Sequence, residues 1–540
     1  MVSLSMCRRR VASRLPVWLV LLPIALAATA SRAHAQCEIS RLVASDGALN
    51  DNLGTAVDIS GDVGMVAAVG HDAQGSASGA VYVADRAPSG WSFVQKLTAS
   101  DGTAGTQFGR DIQIEGSRAL IGASEAVYFF ERIAGSWVEV QKITASDGVS
   151  GDGFGRHLAL DADRALIAAP TRDVAGVETV GEVYVFEIGA GGWVEVDRLS
   201  SPTGRSGDEF GSVALLGDLA LVGAPGEDVH GFSAKGAAYV FERDAAGWGP
   251  ATQINIFEGN EFDSLGRSVG ISRNRLFIGA PGEGPFLQGP VYVFRRVGLD
   301  WVREARVVSE MPAGGFAREG FDVSGETLVV GAQFAEQAFA FKRTSRNEWI
   351  QDSSFAVEPV LDFSFSGFGA SIAVDGDHVL LGGVNNGDIC DSFCSSGSAY
   401  VFDLPAASAE NFCDVSDNST GEPAILSLAG CTQVARNEIG LLARPVPDGR
   451  PGLFFYGDTA IASIPFGDGS RCVAGQTFRL SVLLSRGGEL SVDVDLTNPP
   501  QVGGLITPGS TWFFQALYRD PDAGGAGFNL SDALQVSFSN

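Results

Sequence analysis

Histidine is almost missing from this 540-residue chain, which has only His34, His71, His157, His230 and His378. No two of them have zinc-ligand spacing, and none stands in an HExxH helix or a Gly-x-Ser-x-Gly elbow, so a zinc centre or an elbow-type hydrolase has no footing in the sequence. Cations are scarce as well. There are 37 Lys and Arg against 64 Asp and Glu, and a formal charge of -27 repels phosphate backbones. Nucleic acid is therefore not expected as a partner. Long apolar runs are lacking too: residues 17–28 form the one candidate, short of the about twenty residues a spanning helix needs.

That run follows Arg8, Arg9, Arg10 and Arg14 and precedes Ala33-His34-Ala35, the small-x-small pattern that a signal peptidase cuts. A signal peptide is expected over 1–35, with no membrane insertion after cleavage and a secreted, cell-surface or periplasmic destination. A lipid anchor on Cys37 would need a small residue directly before it, where Gln36 stands, and the arginine run lacks the usual continuation of a twin-arginine signal. Six cysteines remain after cleavage: Cys37, Cys390, Cys394, Cys413, Cys431 and Cys472. An even number in an exported chain suggests disulfides, although sequence alone leaves many pairings open. The expected set staples the loop at Cys390 and Cys394, joins Cys431 to Cys472, and leaves Cys37 near Cys413.

What the chain has in abundance is repetition. A Phe-Gly or Leu-Gly pair opens units at Leu53, Phe108, Phe154, Phe210, Leu265 and Phe368, with a degenerate copy at Phe316-Ala317. A strand ending in small residues follows, as in Ala168-Ala169-Pro170, Gly223-Ala224-Pro225 and Gly279-Ala280-Pro281. Next come strands such as Val183-Tyr184-Val185-Phe186, then strands beginning at Trp91, Trp137, Trp193, Trp248, Trp301 or Trp349. Units of about fifty residues with four short strands each read as propeller blades, too small to bury their apolar faces alone. Six of the eight tryptophans share one position, which favours packing over ligand binding.

The seventh unit ends at Phe402-Asp403-Leu404 without a tryptophan strand, while Cys37 to Gly47 matches Val94 to Gly102 and Val140 to Gly148. The first strand is therefore expected to complete the last blade. Closing the ring costs roughly 5 kcal/mol of loop entropy, and burial of Ile39, Leu42 and Val43, at about 1.5 to 3 kcal/mol each, can offset it.

The Phe-Gly opening, the Gly-Ala-Pro turn and the Val-Tyr-Val-Phe strand together resemble FG-GAP repeats, the units of the seven-bladed propeller at the head of integrin alpha chains. The resemblance spans about 36–404 and implies extracellular interaction with proteins or glycans. Integrin members hold calcium in Asp-x-Asp-x-Asp-Gly loops between the first two strands. Here Asp58 to Asp62, Asp161-Ala162-Asp163 and Asp375-Gly376-Asp377 sit in turns too short for such a cage, so calcium is not carried over.

Other acids are weighed the same way. Asp46, Asp101 and Asp147 in the Ala-Ser-Asp-Gly stretches read as tight connections rather than metal ligands. Asp173, Glu227 and Asp228 lie in the loop that varies most between units, where binding would be specified, although solvated loop acids are the plainer reading. No catalytic, cofactor or metal residue is singled out.

After a linker at 405–412 the repeat disappears, and 413–540 shows strands at 441–443, 452–456, 478–484, 490–496, 512–518 and 534–538 that suit a β-sandwich. Its closing stretch from Trp512 to Leu534 resembles a tail module of exported bacterial proteins. Phe454-Phe455-Tyr456 and Trp512 could stack on sugars but fit a sandwich core better. The expected protein is all-β, a seven-bladed β-propeller closed by its N-terminal strand and followed by a β-sandwich. Its expected role is non-catalytic interaction or adhesion with an extracellular protein or glycan. The alternatives are a glycan lyase or hydrolase working at the central channel, or a structural envelope component. Acids, histidine and arginine converging on that channel would favour the enzyme; small and apolar lining would oppose it.

Overall fold

The computed structural model describes residues 38–538 except 88–89, 257–258, 285–288, 310–313, 345–346, 357–366, 385–395, 405–408, 499–501 and scattered positions in 431–438. Among the described residues, seven antiparallel sheets of the same strand order run from Glu38 to Asp403. We number them as blades: one is 53–97, two 112–143, three 158–200, four 212–253, five 269–307, six 316–356 and seven 368–403. Blade four carries its outer strand in two pieces, Gly247–Trp248 and Thr252–Gln253.

The strand chemistry follows from what each strand faces. Second and third strands are buried on both sides, as in Arg164–Ala169 and Glu182–Gly189, so their apolar residues run almost without interruption. Outer strands such as Ser136–Ile143 alternate instead, because one side meets water. Innermost and second strands are joined by two-residue turns whose first member has positive φ: Gly61, Gly116, Ala162, Gly217, Arg273, Gly325 and Gly376. Such turns match the right-handed twist of the strands they connect.

The cores lie between blades, not inside them. Met65, Val81 and Val83 of blade one pack with Ile112, Ile121 and Tyr128 of blade two. Equivalent clusters join each next pair around the ring, up to Val329 and Ala340 of blade six with Leu381 and Phe402 of blade seven. The circle is completed by Ala373, Leu380 and Val401 of blade seven against Val66 and Tyr82 of blade one.

The closing strand is Glu38–Leu42, which pairs antiparallel with Ser398–Asp403, Arg41 opposite Tyr400 and Leu42 opposite Ala399. Leu42 is buried, whereas Val43 is 38% exposed and does not take the core position expected of it. The ladder itself, the Arg41 guanidinium over the Tyr400 ring and a hydrogen bond from the Trp91 amide to Ser40 Oγ supply closure contacts in its place.

The C-terminal part has two antiparallel sheets, one built on Pro451–Phe466, Gly469–Arg479, Thr511–Arg519 and Phe528–Ser537, the other on Ile425–Gly430, Ile439–Arg444 and Leu490–Val494. They share one core, in which Phe454, Tyr456 and Trp512 are buried with Leu441 and Phe514. Phe455 is buried in a smaller cluster beside it, so the four aromatics considered for sugar stacking are core. Three expectations change. Ala409–Phe412, read as linker, is a strand pairing with Phe528–Ser537. The strand expected at 478–484 is instead the end of the long Gly469–Arg479 strand plus a two-residue stub, Leu483–Leu484. Cys472 bonds to Cys413, not Cys431, with Cα atoms 5.9 Å apart. Cys37, Cys390, Cys394 and Cys431 lie outside the described residues. No helix among those residues is long and apolar enough to cross a membrane.

Candidate functional site at the channel mouth

The two ends of the ring are built differently. One end carries the uniform two-residue turns. The other carries the connections between second and third strands, which differ from blade to blade: residues 69–79 in blade one, 124–125 in blade two, 170–181 in blade three, 225–236 in blade four and 333–336 in blade six. The Phe-Gly corners lie at this end, where the chain turns from an outer strand into the next innermost strand. Gly79 packs so tightly on the Phe108 corner that a Cβ on it would sit 2.3 Å from the Phe108 carbonyl oxygen. At Gly109, φ is +101° and a Cβ would meet the Ala67 methyl at 2.7 Å, so only glycine makes that corner.

The residue after the corner leads into the innermost strand and lines the channel. In blades two, three and five it is Arg110, Arg156 and Arg267; in blade six Arg318 follows Phe316-Ala317, where Ala317 takes φ of 56° in glycine's place. Arg110, Arg156 and Arg267 line a cavity of about 400 Å³ along the channel. Arg156, Arg267 and Arg318 also line a mouth cavity of about 140 Å³ together with His157 and Glu209. Among the described residues no acid or carbonyl pairs with the guanidinium groups of Arg110, Arg156 or Arg267, whereas Arg318 stacks over Phe334. Burial, with repulsion from Arg156, lowers the pKa of Arg110 against the pull of Glu125. Burial pushes His157 down to about 4, and Arg156, Arg267 and Arg110 push it the same way, so it is neutral at pH 7.

Deeper in the channel, Asp58, Asp111 and Asp322 clamp neighbouring blades. Each accepts one amide from its own strand and one from the next: Asp58 from Ile59 at 2.8 Å and Ile114 at 2.6 Å, Asp111 from Ile112 at 2.8 Å and Leu158 at 2.7 Å, Asp322 from Val323 and Val374 at 2.7 Å. They keep a little surface on the channel, but protein surrounds them, and that enclosure raises Asp111 to about 7, Asp322 to about 6 and Asp58 well above its ordinary range. The channel is thus lined by arginine, histidine and acids rather than by small apolar groups alone, but both oxygens of these three acids are occupied.

The acids weighed from sequence have structural partners. Asp46, Asp101 and Asp147 each accept the hydroxyl of the next third-strand tyrosine, Tyr82, Tyr128 and Tyr184, and pair with an outer-strand cation, Lys96, Lys142 and Arg198. The Lys96 ammonium is the main reason Asp46 is held down at about 2. In blade four the tyrosine's partner comes from the variable loop: Glu227 is buried and accepts Tyr239 Oη at 2.8 Å. Asp173 and Asp228 fold back onto their own loops, accepting the amides of Thr179 and Ala234. Asp58, Asp161 and Asp375 likewise accept amides across the blade boundary, from Ile114, Gly217 and Gly61. Among the described residues, no group of three His, Cys, Asp or Glu is placed to hold a metal ion. The arginines were missed from sequence, although a sign was present: Arg follows Phe-Gly or Leu-Gly three times and Phe-Ala once.

The sequence matches the FG-GAP repeat family over residues 37–84, 91–127, 137–186 and 193–241, so these four stretches are FG-GAP repeats. No curated protein matches the chain. Among solved structures, it is similar to the β-propeller domain of Cps50 (Swd1) from Myceliophteria thermophila. That likeness has 11% identity and a TM-score of 0.43, covering 68% of this chain and 99% of that one. A protein from Lactobacillus plantarum is similar at 14% identity and a TM-score of 0.41, covering 57% of this chain and 85% of that one.

Proposed function

We propose that this chain, a carrier of FG-GAP repeats, is an exported protein that works by binding an extracellular protein or glycan and catalyses nothing. The observation behind the reading is the contrast between the two ends of the ring. Seven two-residue turns at one end have no room for individual character, while the other end gathers loops of different length around a channel mouth lined by Arg156, Arg267 and Arg318. Conserving a scaffold while varying the loops at one end is how recognition surfaces are made. Export is supported by the leader-like 1–35 segment and agrees with the Cys413–Cys472 disulfide. The test is an array of extracellular glycans and proteins probed with the mature chain, followed by exchange of residues 170–181 and 225–236 for the short connection of blade two. Loss of the hits on exchange is the expected result; hits that survive both exchanges place binding elsewhere.

One observation favours a second reading, a lyase or hydrolase at the channel, because Asp58, Asp111, Asp322, His157 and three arginines converge there. Binding is preferred because an acid or base must reach a substrate proton. The three carboxylates are spent on backbone amides, and among the described residues His157 makes no side-chain hydrogen bond to an acid that could orient it. Turnover of any array hit, lost in His157→Gln, would reverse the preference.

A further inference from the structure

Four of the seven blades place arginine at the entry to the innermost strand, and the remaining three place the short side chains Thr55, Ser212 and Ala370 there. The long cations therefore have open space to reach across the axis. Arg156, Arg267 and Arg318 come from three separate blades to one cavity of about 140 Å³, in which Glu209 is the single carboxylate among the lining residues. Arg110 lies close enough to Arg156 and His157 to act on both electrostatically. Among the described residues, the guanidinium groups of Arg110, Arg156 and Arg267 have N–H donors that no acid or carbonyl receives, in a protein whose total charge is -27.

We propose that this mouth binds a compact, multiply charged oxyanion, a sulfate or phosphate group, either as the free ion or as a terminal ester on a sugar. Such a group offers oxygens on all sides, which suits donors arriving from several blades, and arginine forks match its geometry. A long acidic polymer would have to lie across the acidic surface as well, whereas a compact anion meets only the mouth, since charges beyond about 8 Å are largely screened at physiological salt. The inference rests on the binding reading above and names the chemical group that reading leaves open.

Isothermal titration of the mature chain at fixed low ionic strength tests it with inorganic sulfate, inorganic phosphate, a monosaccharide 6-sulfate and acetate. Sulfate and phosphate should bind and acetate should not. Arg156→Gln should weaken binding roughly tenfold or more, as expected for loss of a charge-assisted hydrogen bond. Arg110→Gln/Arg156→Gln/Arg267→Gln should abolish it, and the control Arg118→Gln, at the turn end of blade two's second strand, should leave it unchanged. Tighter binding of the monosaccharide sulfate than of inorganic sulfate assigns the ester source; the reverse order assigns the free ion. Binding that persists in the triple variant, or no preference for sulfate and phosphate over acetate in the parent protein, overturns the proposal. Array hits that are lost on loop exchange but indifferent to the triple substitution would leave the binding function standing without it.

Discussion

Blades three and five each contain arginines in two settings, and the pair makes an internal control. In blade three Arg164 is held by Glu187 at 3.3 Å and Asp218 at 2.7 Å, and in blade five Arg275 is held by Glu304 at 2.9 Å. Arg156 and Arg267, just ahead of the innermost strands of the same two blades, line the channel, and among the described residues no acid bonds to them. The repeat therefore does not lack the means to pair a cation. It pairs cations where the second strand begins and leaves Arg156 and Arg267 open in the channel, against the stability that like charges forfeit when gathered. A local rule broken at the same repeat position in several blades is what a functional site looks like.

The largest break in this comparison is expected at the paired cations. The Glu304 side chain is 3% exposed and accepts from both Arg275 and Arg343. Glu304→Ala would strip both guanidinium groups of their nearest acid and leave them the longer contacts to Glu326 at 3.8 and 3.5 Å, at a cost of about 3 kcal/mol. Urea unfolding of the variant checks this.

A smaller effect distinguishes the acids of the channel from those paired with cations by pH. Asp111 is raised to about 7, above its unfolded value, so the native state binds the extra proton. Its contribution to stability is complete below the unfolded pKa and is lost as pH rises toward 7. Asp46 is depressed to about 2, so its contribution is present above the unfolded pKa and is lost as pH falls toward 2. The stability of the parent relative to Asp111→Asn should therefore decline between pH 4 and 8. Lys96→Met should instead remove stability at neutral pH and little at pH 2. Denaturant curves across pH give both signs. The smallest effect is expected from Arg118→Gln, which breaks an exposed pair with Asp163 and should cost under about 1 kcal/mol by the same assay.

The ring was largely legible in the sequence because its unit is spelled seven times, and because the stretch from Glu38 to Gly47 repeats the outer-strand wording that blade seven lacks. The resulting pairing of Arg41 with Tyr400 is long in sequence but written in the repeat. The candidate site was not read. A repeat-level reading attends to what the copies share, and Arg110, Arg156, Arg267 and Arg318 occupy a position where the other copies have Thr55, Ser212 and Ala370. The loop acids were legible as residues but not as partners: that Asp101 would meet Tyr128 and Lys142 depends on how one loop lies over the next blade. In the tail, the long hairpin through 451–479 was cut short because the stretch of its first strand from Asp458 to Ser463 is irregularly paired and carries small and polar residues with little burial. Disulfide partners are set by spatial proximity, and Cys413 approaches Cys472 only once those sheets form.

The most direct test of the account is the thermal midpoint, without any ligand and at low salt, of the Arg110→Gln/Arg156→Gln/Arg267→Gln variant against the parent chain. Arginines kept for recognition at the expense of stability predict a variant that melts at the same temperature or higher, because their mutual repulsion is gone. A midpoint several degrees lower would show that these cations hold the ring together, and would contradict the assignment of the channel mouth as a binding site.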